Sequence, residues 1–94
     1  MTTKYEVKQT SRFKRDYKRI KKRNYDVSLL EEPISLLANG KPLPAKYKDH
    51  ALHGNLRGLR ECHITPDWLL IYEIDDNKLY LYLTRTGTHS DLLE

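Results

Sequence analysis

The spacing of apolar residues changes along the chain, and each change marks a predicted element. From Thr3 to Gln9 apolar and polar positions alternate, with Tyr5 and Val7 on one side and Lys4, Glu6 and Lys8 on the other. A period of two predicts a half-buried strand. Beyond it Phe13, Tyr17 and Ile20 fall at i, i+4 and i+7 among lysines and arginines. That spacing predicts a cationic helix with a narrow apolar stripe, and Ser11 stands where its N-cap belongs. Asn24-Tyr25-Asp26 interrupts the pattern, after which Val27, Leu30, Ile34 and Leu37 share a second helical face. Asp26 is placed to cap that helix and Asn39-Gly40 to stop it. Pro33 would lie past the first turn of a helix begun at Val27. It removes one backbone hydrogen bond there and predicts a bend between Leu29 and Pro33.

Gly40-Lys41-Pro42-Leu43-Pro44 opens a turn-rich connection, and the polar stretch to Asn55 reads as a long loop. Three β-like runs follow, Arg57–Ile64, Asp67–Ile74 and Lys78–Thr84, divided by Thr65-Pro66 and Asp75-Asp76-Asn77. Connections this short join consecutive strands as an antiparallel meander. The expected fold is therefore α+β, a single domain over residues 1–94. It comprises an N-terminal strand, a two-helix hairpin and a three-stranded antiparallel meander, with the helices on one sheet face. The other face is left for a ligand. A chain of 94 residues supports one core and buries only about 60–70% of its unfolded surface. A site on it is expected to be a shallow groove.

Charge sharpens this picture. The net charge of +4 divides into +8 over residues 1–25 and −4 over residues 26–94. A cationic N-terminal element of that kind points to a polyanion or an acidic partner. The lone cysteine, Cys62, gives no internal disulfide. No apolar run approaches the ~18 residues that span a bilayer. The opening Met1-Thr2-Thr3-Lys4-Tyr5 lacks the apolar stretch of a signal peptide. The expected setting is the cytoplasm, with no membrane partner.

All four histidines, His50, His53, His63 and His89, lie in the second half, with Asp67 between the last two and Arg85 just before the final one. Taken singly, each is most simply a structural histidine, and His53 is read that way. A metal set built on His50-x-x-His53 with His63 or His89 is a weak match, because Pro42, Pro44 and Gly54 frame a loop and neither an HExxH motif nor a cysteine set is present. No metal or cofactor is expected. Acid–base chemistry fits better. RNA supplies its own nucleophile, the ribose 2′-hydroxyl, so its cleavage needs a base, an acid and a fixed cation for the phosphorane charge. His50, His63, His89 and Asp67 can supply the first two and Arg85 the third, because a guanidinium stays charged and grips two phosphate oxygens. By strand parity His63 shares a side with Leu59 and Glu61, away from Cys62 and Ile64. Arg85 has the parity of Leu79, Leu81 and Leu83, which read as core. To reach the open face, the last strand must end or bulge near Thr84.

Several runs of residues, taken in order, resemble one family. They are Tyr47-Lys48-Asp49-His50-Ala51-Leu52-His53-Gly54, Arg60-Glu61-Cys62-His63, Pro66-Asp67-Trp68, Leu70-Ile71-Tyr72 and Arg85-Thr86-Gly87-Thr88-His89. Together they are similar to the YafQ branch of the RelE superfamily, toxins of bacterial type II toxin–antitoxin systems, over essentially the whole chain. The resemblance implies a ribosome-dependent endonuclease that cuts mRNA codons in the A site of the 70S ribosome. It gives His50, His63, Asp67, Arg85 and His89 the tasks of proton transfer and phosphate stabilisation. It also implies a DinJ-like antitoxin as partner, commonly in a heterotetramer. Relatives often carry an aromatic residue near the C-terminus where this chain has Leu93, so stacking is lost here or Trp68 or Tyr72 substitutes, although both aromatics read first as core or cross-strand packing residues.

In this reading Arg12, Lys14, Arg15, Lys18, Arg19, Lys21, Lys22 and Arg23 face RNA phosphates, joined by Lys48 and Trp68. Two other functions compete with it. One is a non-catalytic RNA- or ribosome-binding module whose histidines only line a groove. The other is a toxin of the same fold acting on a different target such as DNA gyrase, for which acid–base residues would be unnecessary.

Overall fold

A computed structural model of the chain describes residues 3–93, and the expectation attached to the Leu93 side chain falls outside what it describes. The α+β architecture is present. In chain order it comprises β1 (Glu6–Gln9), α1 (Ser11–Lys22), α2 (Glu31–Ala38), β2 (His50–Ala51), β3 (Arg60–Thr65), β4 (Trp68–Asp75), β5 (Tyr80–Gly87) and α3 (His89–Leu93). The strands form one sheet in the order β1-β5-β4-β3-β2. β3, β4 and β5 are the expected antiparallel meander, and β1 returns to lie parallel to β5 at one edge.

The helix boundaries show what spacing alone does not decide. Thr10, not Ser11, caps α1. Its hydroxyl oxygen accepts the Phe13 N–H at 3.0 Å, and the same hydroxyl donates to the carbonyl of Thr84 at 2.8 Å. That second bond reaches a residue 74 positions away and selects Thr10 over its neighbour. Asn24, with φ of 64°, takes the left-handed position that ends α1. The second helix does not begin as an α-helix at Val27. A 3-10 turn capped by Asp26 covers Val27–Leu30, and α2 starts at Glu31. Pro33 is then the third residue of α2, where its missing N–H costs nothing because first-turn donors have no partner within the helix. Where a bend is expected, between Leu29 and Pro33, the chain changes helix type. At the other end Gly40 (φ 73°) and Lys41 close a Schellman motif, donating to Leu37 and Leu36 at 3.0 and 2.9 Å.

The segment read as a long loop to Asn55 holds 3-10 turns at Ala45–Tyr47 and Gly54–Leu56 and the two-residue strand β2. A two-residue strand has too few positions to show a period, so β2 leaves no pattern in the sequence. The strand limits also move: β3 starts three residues after Arg57, and β5 runs three residues past Thr84.

Phe13 and Leu37 from the two helices meet Cys62, Leu70, Tyr72, Leu81 and Leu83 from the sheet in one buried cluster. Ile20, Leu30 and Trp68 form a second. Burying each large apolar side chain contributes about 1.5–3 kcal/mol. Burial also pushes the Cys62 thiol up to about 12, which leaves it a packing group with no reactive thiolate at neutral pH. Among the described residues no helix is long and apolar enough to cross a membrane.

Candidate active site

Strand register decides which side chains reach the face opposite the helices. Cys62 pairs with Leu70, both fully buried on the helix side, so the adjacent pair His63–Leu69 belongs to the other face. Glu61 pairs with Ile71 on one side and His50 on the other, which puts His50 and Glu61 on that same face. For Arg85 the parity has to change within β5. It does so at Thr84, which has no partner: Tyr72 pairs with Leu83 and Ile71 with Arg85. The single extra residue is a bulge that carries Arg85 away from the side of Leu81 and Leu83. Thr10 holds the bulge through its bond to the Thr84 carbonyl.

Local contacts fix the remaining backbone. Asp49 accepts the Tyr72 hydroxyl at 2.5 Å and two Arg60 guanidinium N–H groups at 2.9 and 3.2 Å. Lys48 takes a left-handed conformation just before it. The loop is thereby pinned to the sheet one residue ahead of His50. Asp67 occupies the tight turn between β3 and β4. After β5 the chain turns at Gly87, where a Cβ would come within 2.9 Å of the Asp91 Cβ. Thr88 then caps α3 reciprocally, with its hydroxyl accepting from Asp91 N–H and the Asp91 carboxylate accepting from Thr88 N–H. His89 is thus the first residue of a short, fixed helix.

These constraints bring His50, His63, His89 and Asp67 together. The rings of His50 and His63 lie 6.2 Å apart between centroids, and those of His63 and His89 lie 5.8 Å apart. Asp67 accepts from His89 Nδ1 at 2.6 Å and from the His89 backbone N–H at 3.2 Å. The side-chain bond from His89, then the backbone bond, hold the Asp67 carboxyl below the usual carboxylate range. His50 Nδ1 lies 2.9 Å from the carbonyl of Lys48, an acceptor only, and its Nε2 lies 3.3 Å from Glu61. Both of its nitrogens therefore face oxygen acceptors. His63, between the other two, makes no hydrogen bond from its ring among the described residues, and it borders a cleft of about 480 Å³ with Lys48 and Pro66.

Arg85 is held from behind. Asp16 of α1 accepts its Nε–H at 2.6 Å and one Nη2–H at 3.2 Å, and this contact raises the guanidinium further above its ordinary value. His53 is exposed and takes no part in the cluster, as read from the sequence.

Three of the expected RNA contacts, Trp68, Arg19 and Arg23, need correction. Trp68 is 1% exposed, donates its indole N–H to Thr86 Oγ1 at 2.8 Å and packs edge-on against Tyr25, so it has no face on which a base can stack. Tyr72, also 1% exposed, is no substitute. Arg23 clamps Asp91 with both terminal nitrogens, at 2.8 and 3.2 Å, and Arg19 shares that carboxylate at 3.6 Å. Lys14, Arg15, Lys18, Lys21, Lys22 and Lys48 are exposed and form no ion pair among the described residues.

The sequence reading missed Asp16, Glu61 and Asp91 as site residues. For Glu61 the signal was its shared parity with His63. For Asp16 it was the oddity of one acid in a cationic helix. Glu61 also creates a metal-type cluster different from the one considered: ligand atoms of His50, Glu61 and His63 all lie within 4.8 Å of one another. Two imidazoles and a carboxylate suit zinc or copper.

A family model described as bacterial toxin of type II toxin–antitoxin system, YafQ, matches residues 5–94. The mRNA interferase toxin YafQ of Escherichia coli (strain K12) is 41% identical over 88 residues, which is 93% of this chain and 94% of that protein. In the crystal structure of the E. coli DinJ–YafQ complex, one chain superposes with a TM-score of 0.87 at 40% identity, covering 96% of this chain and 99% of that one. A metal-bound toxin from Helicobacter pylori superposes with a TM-score of 0.88 at 41% identity, covering 94% and 98%.

Proposed function

The chain belongs to the YafQ family of type II toxin–antitoxin toxins, and from that premise we propose that it is a ribosome-dependent mRNA endonuclease that cleaves through the ribose 2′-hydroxyl. The endoribonuclease activity itself follows the name of its 41%-identical relative. The observation that carries the mechanism is the row of three imidazoles on one sheet face, each ring differently bonded, with Arg85 delivered to that face by the bulge.

The bonding supports one division of roles. With its Nδ1–H donated to Asp67, His89 keeps the Nε2 lone pair and an oriented ring, the arrangement of a general base. It takes the proton of the 2′-hydroxyl as O2′ attacks the adjacent phosphorus. His50, between the Lys48 carbonyl and Glu61, is the ring assigned in this reading to protonate the departing O5′. The O2′–P bond forms, the P–O5′ bond breaks, and the products are a 2′,3′-cyclic phosphate and a 5′-hydroxyl. His63 contacts the phosphoryl oxygens from between the other two, and Arg85 stabilises the phosphorane charge. The exposed cations Lys14, Arg15, Lys18, Lys21 and Lys22, with Lys48, face ribosomal or messenger RNA phosphates. The partner that silences the toxin is a DinJ-like antitoxin, as the relative crystallised with DinJ supports, and the assembly expected from the resemblance is a heterotetramer.

The test is to map RNA 5′ ends formed on expression, probe them for cyclic phosphate, and repeat the reaction with EDTA. Codon-phased cuts with 2′,3′-cyclic ends and no loss in chelator are expected. Growth arrest that persists in folded His89→Ala and Arg85→Ala variants, without cut mRNA, would overturn the reading in favour of a binding toxin.

A further inference from the structure

Asp16 is the one acidic residue between Arg12 and Arg23, yet it lies inside the protein at 2% exposure. A carboxylate leaves water only at a large cost unless donors replace the lost hydration. Here three do so: Arg85 Nε–H at 2.6 Å, Arg85 Nη2–H at 3.2 Å and the backbone N–H of Thr86 at 3.2 Å. Arg19 stands further off, at 4.0 Å. The contact with Arg85 is side-on, through Nε and Nη2. Among the described residues Nη1 makes no hydrogen bond, so the Nη1/Nη2 end of the fork remains open to two phosphate oxygens.

We propose that Asp16 is the positioning residue for Arg85, fixing the plane and direction of its guanidinium before RNA arrives; the proposal rests on the nuclease reading above. An arginine reaches its head group through a long flexible stem, and an unheld one would have to be ordered as charge develops in the transition state. Asp16 removes that requirement twice over. It grips the head group, and through Thr86 N–H it also grips the backbone one residue beyond Arg85. Thr86 is anchored further, donating its hydroxyl to the Leu69 carbonyl and accepting from Trp68 Nε1. The apolar face of α1 thus carries one polar side chain, and that side chain points at the end of β5 where the bulge has just placed Arg85.

A staple that only tied α1 to β5 would not make its effect depend on what Arg85 does to RNA, and this difference is measurable. Wild type, Asp16→Asn, Arg85→Ala and the double variant are compared in single-turnover cleavage of mRNA on programmed ribosomes, with thermal melts alongside. Asp16→Asn is expected to lower kcat by about 10²-fold with KM unchanged, and to cost nothing further in the Arg85→Ala background. Wild-type kcat in Asp16→Asn, or an equal penalty in both backgrounds, overturns the proposal. Should Asp16→Asn fail to fold, the wild-type protein still decides by nitrogen-15 NMR. The Arg85 Nε–H signal, identified by its loss in Arg85→Lys, must be resolved and slow to exchange without RNA. A signal averaged with those of exposed arginines overturns the proposal. If wild type and His89→Ala leave RNA equally intact, the nuclease reading has failed instead, and the Nε–H signal still shows whether Asp16 holds Arg85.

Discussion

On the helix-covered face of the sheet, Leu70, Tyr72, Leu81 and Leu83 are closed off from water under Phe13 and Leu37. On the other face stand His63 and Glu61, on either side of buried Cys62 in β3, and Arg85 beyond the bulge of β5. The helix side makes its contribution through burial, so its residues are judged by fit. The open side contributes little burial from its histidines; its value lies in which atom each ring presents. Strand alternation supplies both faces at once, and the bulge at Thr84 carries Arg85 from one regime to the other.

Arg85→Ala should therefore break both faces together. It removes the phosphate-binding cation from the open face and leaves the buried Asp16 carboxylate without its main partner. Cleavage should fall by about 10²–10³-fold, and thermal denaturation should show a loss of about 3–5 kcal/mol, as found for broken buried pairs. Unchanged melting and activity would mean that Arg85 neither holds Asp16 nor serves the reaction.

A crossed pair of substitutions separates the faces. His89→Ala should lower the cleavage rate by about 10²–10⁴-fold with little change in melting temperature, because its ion pair with Asp67 is exposed and screened by solvent. Leu70→Ala should do the reverse, costing about 2–5 kcal/mol by urea denaturation while the folded fraction keeps its activity.

Between the faces lies the Asp91 junction. The Arg23 guanidinium, assisted by Thr88, holds the Asp91 carboxyl well below the usual carboxylate range. A lowered folded value means the contribution is complete above the unfolded value near ~3.9 and is lost as pH falls toward the folded one. Asp91→Asn should then cost about 1–3 kcal/mol at neutral pH, with the gap to wild type closing below about pH 4. A constant gap across that range would count against the ion pair as its source.

The smallest expected effect lies outside both faces. Lys14, Lys18 and Lys21 changed to Gln should leave folding and chemistry intact. The slope of ribosome affinity against salt should become shallower by about 0.7–0.9 for each phosphate no longer neutralised, measured by sedimentation across a salt series.

Much of this architecture was legible in the chain. The period of two over Tyr5 and Val7, the helical stripe of Phe13, Tyr17 and Ile20, and the spacing of the last three strands all report local geometry. The need for an irregularity near Thr84 was legible too, because Arg85 shared parity with core leucines. What stayed hidden involves partners far apart in sequence. Thr10 caps α1 because Thr84 is beside it, and Trp68 is withdrawn from solvent because Thr86 and Tyr25 receive it. Neither choice has a local signature.

The sequence alone determined the longer elements, their faces and a candidate set of groups for acid–base and phosphate chemistry, because periodicity and residue type are properties of neighbours in the chain. Tertiary structure decided which groups meet. It put β1 beside β5, turned Asp16 from a surface acid into the anchor of Arg85, and gave each histidine a different set of bonds. Those outcomes rest on hydrogen bonds and ion pairs between residues up to about seventy positions apart. Such bonds exist only once the sheet has closed, since their strength depends on distance and burial that no local spacing encodes.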